Sequence, residues 1–299
     1  MLIPPKKKVS PLERVYTEAL ACEERGELAE AERLYKEAIQ MAPRWAVAPF
    51  NLGLLYKRQR RWRESLEYNR RATKLDATDE AAWWNLGIAA TAVGDWSTAR
   101  AAWRGYGIPI PAGEGPIELP LGPIPIRLDP DGASEVVWCR RLDPARAVIE
   151  NVPLPASGRR FGDVLLTDGE PRGTRRVQGR EVPVFNEIEV LETSLYKTWS
   201  AVAEAEDAAG IEALQDLATE RGLAAEDWSA LRVLCRACSE GRPHAHNRDP
   251  GSENESGEAD GERTVGLAAA TAEEARDLLN AWSAAAPGRT WSDLRIELD

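Results

Sequence analysis

Apolar and small side chains recur every 34 residues over the first third of this chain. The repeating positions form two sets, Ala31, Ser65 and Ala99 in one and Leu28, Trp62 and Trp96 in the other. A fixed period of this length predicts a stack of helix pairs, because each unit must bury its apolar face against the next unit. With unit starts at Leu12, Ala46 and Glu80, the pattern predicts three helix pairs within residues 12–105.

The third unit resembles a tetratricopeptide repeat (TPR), through Trp83, Leu86, Gly87, Gly94, Ala99 and Trp103. The second unit has the matching Leu52-Gly53, and the first lacks this pair, as terminal repeats often do. The resemblance implies an α-solenoid whose first helices line a concave face that binds a peptide or protein. Its partner-binding candidates are Tyr16, Leu20, Phe50, Asn51, Leu54, Lys57, Arg58, Trp84, Asn85 and Ile88, with Thr17, Glu23, Glu24, Val47 and Ala81 beside them.

Some members of that family hold a C-terminal carboxylate with a Lys/Asn/Arg clamp on the concave face. Asn51 matches the asparagine, but Tyr16, Leu20, Ala81 and Asn85 stand where the other members belong, so no clamp is predicted. An aromatic groove with a basic end at Lys57–Arg63 suits an amphipathic or extended peptide. The alternative is that this basic stretch is an ordinary solvated helix end.

The middle of the chain predicts no further helices. Prolines alternate with isoleucine or leucine in residues 106–133, which predicts an extended strap lying along another domain. Residues 134–193 predict a small antiparallel barrel or sheet, with hairpin turns at Asp168-Gly169 and Gln178-Gly179. Its predicted strands are Glu135–Arg140, Ala147–Val152, Phe161–Thr167 and Val182–Leu191.

Residues 194–299 contain two similar halves, because the sequence from Trp228 to Val233 reads like the sequence from Trp291 to Ile296. Each half predicts a strand, a helix and a strand, which together form the split βαβ arrangement of a ferredoxin-like domain. The first half is Lys197–Ala205, Asp207–Arg221 and Leu231–Cys235, and the second is Arg263–Ala269, Ala272–Ala285 and Ser292–Leu298. Asp207 and Thr271 are the predicted helix N-caps.

One cluster of metal-ligand residues lies between these halves, in residues 235–246. Cys235 and Cys238 form a Cys-x-x-Cys pair, and His244 and His246 follow within a few residues. Two thiolates and two imidazoles form a tetrahedral set for a structural zinc ion. An unliganded loop, a redox-active thiol pair and a different metal remain alternatives. Residues 247–262 are polar and acidic, which predicts a flexible loop.

Composition narrows the class of protein. The net charge of −11 on 299 residues argues against general binding to nucleic acid or to an anionic membrane. Four cysteines are too few for a disulfide scaffold, and no stretch is long and apolar enough for a membrane span. Residues 1–11 read as a flexible segment without a secretory signal. We therefore expect a cytoplasmic protein.

The functional expectation is a non-enzymatic adaptor or scaffold that binds a protein or peptide through the TPR face. No catalytic residues are predicted, since phosphate-binding loops and hydrolase motifs are absent from the sequence. Two alternatives stay open, a ligand- or metal-sensing regulator, and a thiol-redox or metal-dependent enzyme at Cys235 and Cys238. Self-assembly into a homo-oligomer through an exposed repeat end is also possible on this pattern.

Overall fold

The computed structural model describes residues 10–132, 135–177, 180–230 and 262–299. The chain divides into two compact units, Met1–Ile117 and Glu118–Asp299. The described part of the first unit is helical, and the second unit contains a closed five-stranded barrel and a four-stranded sheet. The outline of a helical N-terminal region followed by a β-rich part agrees with the sequence prediction.

Six helices form three consecutive packed pairs in the first unit. Ser10 begins the first helix with a capping box, in which its hydroxyl accepts from the backbone N–H of Glu13. The carboxylates of Asp79 and Asp95 cap the two helices of the third pair by accepting from the backbone N–H groups of Ala82 and Thr98. The helices are α1 (Pro11–Glu24), α2 (Leu28–Met41), α3 (Val47–Arg58), α4 (Trp62–Leu75), α5 (Glu80–Ala92) and α6 (Trp96–Tyr106).

The 34-residue period corresponds to one close contact within the second pair and within the third. A Cβ atom on Gly53 would lie 2.6 Å from the Nδ2 atom of Asn69, and one on Gly87 would lie 2.5 Å from the ring of Trp103. Gly87 and Trp103 stand one period after Gly53 and Asn69. A small residue on the first helix thus makes room for the side chain on the second, which explains why the sequence repeats at these positions.

The proline-rich segment after α6 lies along that helix. Gly107, in the left-handed region at φ 102°, ends α6, and the N–H of Ile108 donates to the carbonyl of Trp103 at 2.8 Å. Arg104 then donates to the carbonyl of Ile110 at 2.8 Å, and Arg100 donates to the carbonyl of Gly115 at 2.7 Å. The first part of the predicted strap is therefore held by the last helix of its own unit.

The barrel of the second unit is a meander of five strands. They are β1 (Pro123–Arg127), β2 (Val136–Arg141), β3 (Arg146–Ile149), β4 (Val164–Val177) and β5 (Arg180–Glu192). Consecutive strands are antiparallel, and β1 closes the barrel by pairing parallel to β5, where Ile126 faces Phe185. The core is apolar and includes Ile124, Ile126, Leu128, Val137, Cys139, Ile149 and Leu165.

Two sequence predictions for this region need correction. Strand β1 lies inside the range 106–133 that was assigned to an extended strap, so the end of the strap is part of the barrel. Asp168-Gly169 is not a hairpin turn, because β4 continues through it with an irregular register between Thr167 and Pro171. The second predicted turn, Gln178-Gly179, lies outside the described residues.

A four-stranded antiparallel sheet with two helices follows the barrel. Its elements are β6 (Lys197–Glu204), α7 (Ala208–Glu220), β7 (Ala224–Asp227), β8 (Glu262–Ala269), α8 (Ala272–Ala284) and β9 (Thr290–Leu298). The strand order is β7-β8-β6-β9. Trp199, Leu214, Leu267, Leu278 and Trp282 belong to the core between sheet and helices. The predicted N-caps are confirmed, since Asp207 accepts from the N–H of Gly210 and Thr271 accepts from that of Glu274.

A strand that the sequence pattern did not predict follows α7. It is Ala224–Asp227, whereas the predicted Leu231–Cys235 lies outside the described residues. Trp228 lies in a 3-10 turn, whereas Trp291, at the matching place of the second half, lies within β9. The two similar sequences therefore begin in different local structures.

The barrel and the sheet share a small apolar contact within the second unit. Val152 of the barrel packs with Ala224 and Ala268 of the sheet. The indole N–H of Trp228 donates to the carbonyl of Val152 at 3.0 Å, and its ring lies over Gly266, where a Cβ atom would approach within 2.1 Å. Gly266 therefore gives the tryptophan the space that a side chain would occupy.

Candidate partner-binding face

The first helices of the first two repeats present one shared face. On α1, Tyr16, Leu20 and Glu23 follow the i, i+4, i+7 spacing of one helix side. On α3, Asn51, Leu54 and Arg58 follow the i, i+3, i+7 spacing of one helix side. Two polar bridges connect the helices. The amide of Asn51 donates to the hydroxyl of Tyr16 at 2.7 Å, and Arg58 forms an ion pair with Glu23.

Leucines lie between these two bridges on the same face. Leu20 is exposed at 36% and Leu54 is half-buried. Phe50, one residue before the bridging Asn51, is half-buried as well. The arrangement is an apolar surface with a hydrogen bond at one end and an exposed ion pair at the other. We call Tyr16, Leu20, Glu23, Asn51, Leu54 and Arg58 the inner face.

Aromatic packing fixes the bridging side chains. The ring of Tyr16 packs edge-on against Trp45 with centroids 4.8 Å apart. The hydroxyl of Tyr35 donates a hydrogen bond to the carboxylate of Glu23 at 2.8 Å. Burial and this carboxylate together raise the pKa of Tyr35. Glu23 is thus held both by Tyr35 and by Arg58. A side chain fixed from two sides loses little further freedom when a partner binds.

Four of the predicted contact residues, three of them in the third repeat, are buried or half-buried. Ile88 is fully buried, and the side chains of Lys57 and Asn85 are buried and joined by a 2.8 Å hydrogen bond between α3 and α5. Trp84 is half-buried against the rings of Trp103 and Tyr106, at 5.1 and 4.8 Å. These four residues were predicted to contact a partner. The structure instead places Ile88, Lys57 and Asn85 in the interior, where they pack the array.

The predicted metal ligands Cys235, Cys238, His244 and His246 all lie outside the described residues. Within residues 10–132, 135–177, 180–230 and 262–299, no group of three or more His, Cys, Asp or Glu side chains is placed to hold a metal ion. The two remaining cysteines, Cys22 and Cys139, are buried. Burial raises the pKa of both thiols, which keeps them in the unreactive protonated form.

Sequence reasoning missed a pair of partly buried carboxylates where the barrel meets the sheet. Glu135 accepts from the backbone N–H of Leu154 at 2.9 Å, and Glu226 of β7 accepts from the amide of Asn151 at 2.8 Å. Burial raises the pKa of Glu135 to about 7, and the negative charge of Glu226 adds to the shift. Burial also raises the pKa of Glu226. Neither residue stands in a motif that a sequence pattern detects.

Comparison with known proteins gives similarity over the helical third of the chain. The TPR domain of Sgt2 from Aspergillus fumigatus is 24% identical, covers 34% of this chain and 70% of its own, and has a TM-score of 0.30. The second TPR domain of Spaghetti (RPAP3), bound to an HSP90 peptide, is 19% identical, with coverages of 32% and 88% and a TM-score of 0.30. The TPR2B domain of yeast Sti1, in a complex with pHsp70, is 19% identical, with coverages of 32% and 76% and a TM-score of 0.30.

No protein-family model and no curated protein matches the chain. Its own helices nevertheless decide the architecture of the first unit, since three packed pairs repeat at a 34-residue spacing, with a glycine against a larger side chain in the second and third pairs. The N-terminal third has the architecture of three tetratricopeptide repeats. Among the residues with described positions, no helix is long and apolar enough to cross a membrane.

Proposed function

We propose that this protein is a non-catalytic adaptor that binds a peptide or protein segment on the inner face of its first two repeats. The observation that carries the proposal is the exposed Leu20 beside Leu54, enclosed by the Tyr16–Asn51 and Glu23–Arg58 bridges. An apolar anchor site with polar groups around it is the usual composition of a recognition surface. The bound segment would bury one apolar side chain against the leucines and pair a carboxylate or amide with the bridges.

The inner face favours an extended or amphipathic segment over a C-terminal carboxylate. Asn51 is hydrogen-bonded to Tyr16, and Lys57 is hydrogen-bonded to Asn85. The side chains that could form part of a carboxylate clamp therefore already have partners within the repeats. Arg58 keeps 61% of its side chain exposed while it pairs with Glu23. The apolar contact would therefore supply most of the binding free energy, and the charged pair would orient the segment.

Selection from a random peptide library on the full chain tests this proposal. Peptides enriched on the wild-type protein are then measured against Leu20→Asp and against Leu28→Asp. These leucines are similarly exposed, at 36% and 38%, but Leu28 is the first residue of α2 and lies outside the inner face. We expect Leu20→Asp to weaken binding by about tenfold or more, since burial of one leucine is worth roughly 1.5–3 kcal/mol. Failure to enrich any peptide, or equal affinity for both variants, would refute the proposal.

Three finer assignments belong to the same proposal. The strand order β7-β8-β6-β9, with a helix after β6 and after β8, supports a ferredoxin-like classification of the C-terminal part. The spacing of Cys235, Cys238, His244 and His246 supports a structural zinc ion in the segment between β7 and β8. A cytoplasmic location agrees with the small number of cysteines.

A further inference from the structure

The turn between α3 and α4 contains an arginine in a backbone conformation that favours glycine. Arg60 has φ 56°, and the residues one period before and after it are Gly26 at φ 76° and Gly94 at φ 72°. The left-handed region brings a Cβ atom close to the following carbonyl oxygen, a strain that glycine avoids. The second repeat therefore keeps an arginine where both neighbouring repeats use the unstrained residue.

The three turns have the same hydrogen bonds. The N–H of Arg60 donates to the carbonyl of Lys57 at 2.9 Å, as Gly26 donates to Glu23 at 3.0 Å and Gly94 to Thr91 at 3.1 Å. In each turn the next N–H reaches back to the last turn of the preceding helix, as that of Arg61 does to Tyr56 at 2.9 Å. The backbone thus requires a left-handed residue at position 60, and it requires nothing of the side chain.

Packing does not explain the arginine either. Arg60 is exposed, and a Cβ atom at the equivalent Gly26 would meet no atom within 4 Å. Non-glycine residues held in the left-handed region cluster at functional sites. The guanidinium group of Arg60 is therefore the feature that the strained turn presents to its surroundings.

Some arginines around this turn form ion pairs, and others do not within the described residues. Arg61 pairs with Glu32 at 2.7 Å and with Glu64 at 2.8 Å, and Arg58 pairs with Glu23. Arg60 and Arg63 are exposed, and neither makes a side-chain hydrogen bond or ion pair within the described part of the chain. Two available guanidinium groups therefore stand within four residues of each other, at the turn and in the first turn of α4.

We propose that Arg60 and Arg63 bind carboxylates of an acidic peptide segment in a partner protein. This basic corner lies outside the inner face, so the inference goes beyond the proposed function. Guanidinium groups hold carboxylates through paired, charge-assisted hydrogen bonds that act at short range. A nucleic acid is the less suitable partner, because two guanidinium groups contact too few phosphates for the extended basic surface that nucleic-acid binding requires.

Fluorescence anisotropy with the full chain at low ionic strength tests the basic corner. The probes are a labelled oligoglutamate, an oligoserine of the same length and a thymidine oligonucleotide of the same charge. The variants are Arg60→Gly and Arg63→Ser, with Arg44→Ser as a control that removes an exposed charge elsewhere in the first unit. We expect the wild type to bind oligoglutamate more tightly than oligoserine. Each corner variant should bind oligoglutamate about three- to fivefold more weakly than the wild type does. The control should retain wild-type affinity.

Thermal unfolding provides the second readout. Arg60→Gly should unfold at the wild-type midpoint or above it, because strain is relieved, while Gly26→Ala should lower the midpoint by adding strain to the equivalent turn. A lower midpoint for Arg60→Gly would overturn the argument from strain. Unchanged oligoglutamate affinity in both corner variants, or equally tight oligonucleotide binding that these variants weaken, would overturn the acidic-peptide assignment. Neither result depends on Leu20, so failure here is distinguishable from failure of the inner-face proposal.

Discussion

Asn51 donates a 2.7 Å hydrogen bond to the hydroxyl of Tyr16, which lies 35 residues earlier and on the preceding first helix. The bond joins two repeats, so its loss should reduce the stability of the array. We expect Tyr16→Phe to lower the free energy of unfolding by about 1 kcal/mol. Tyr68→Phe is the matched control, since the hydroxyl of Tyr68 makes no hydrogen bond within the described residues. Equal effects of both changes in denaturant unfolding would contradict a role for the bridge.

The contact of Gly87 with Trp103 makes a second prediction. A Cβ atom at Gly87 would lie 2.5 Å from the buried indole, so Gly87→Ala should destabilise the protein by about 1–3 kcal/mol despite the better helix propensity of alanine. The same change in a Trp103→Phe background should have a smaller effect, because the smaller ring leaves room. A double-mutant cycle in denaturant measures this coupling, and strictly additive effects would show that the two residues do not compete for space.

The raised pKa of Glu135 predicts that the stability of the protein depends on pH. Its pKa is raised from 4.5 to about 7, so the folded protein binds a proton more tightly than the unfolded chain. The contribution of Glu135 to stability is therefore largest below pH 4.5 and falls as the pH rises to about 7. We expect Glu135→Gln to be more stable than the wild type by about 1–3 kcal/mol at pH 8 and similar to it near pH 4.

Glu181→Gln, at an exposed position of β5, is the control for that experiment. Unfolding is measured from pH 4 to 8 for the wild type and both variants. The difference between Glu135→Gln and the wild type should grow with pH, whereas the difference for the control should stay flat. A constant difference for Glu135→Gln would contradict the raised pKa.

Sequence periodicity was enough to locate the helix pairs but not the barrel strand β1. Small residues such as Gly53 and Gly87 mark the contacts between helices, and those contacts repeat because the units are alike. Pro123 and Pro125 concealed β1, since proline cannot donate to a strand ladder. They lie two residues apart, so the missing donors fall on one edge of the strand, while the alternate Ile124 and Ile126 fill the core.

The candidate site shows a similar limit. The family pattern places Asn51, Lys57 and Asn85 on a concave face, but it does not show that Asn51 bonds to Tyr16 or that Lys57 bonds to Asn85. Such pairs join different repeats, and their geometry depends on how the helices stack. The strained Arg60 is visible in the sequence only as a departure from glycine, and its significance depends on the φ angle of the folded chain.

The zinc assignment makes a prediction about metal content. Elemental analysis of the purified full chain should find about one zinc per molecule. Cys235→Ser should lose it, and Cys22→Ala should retain it because Cys22 is buried in α1. Absence of metal, with Cys235 and Cys238 both freely alkylated in the folded protein, would remove the zinc site and favour the redox alternative.

Hydrogen–deuterium exchange of the full chain, with and without a saturating peptide selected on the wild type, tests the central claim most directly. The account predicts slower exchange in α1 and α3 around Leu20 and Leu54, with little change in α2 and α4. It also predicts that Leu20→Asp abolishes this protection while Leu28→Asp keeps it. Protection confined to α2 and α4, or to the second unit, would contradict binding on the inner face.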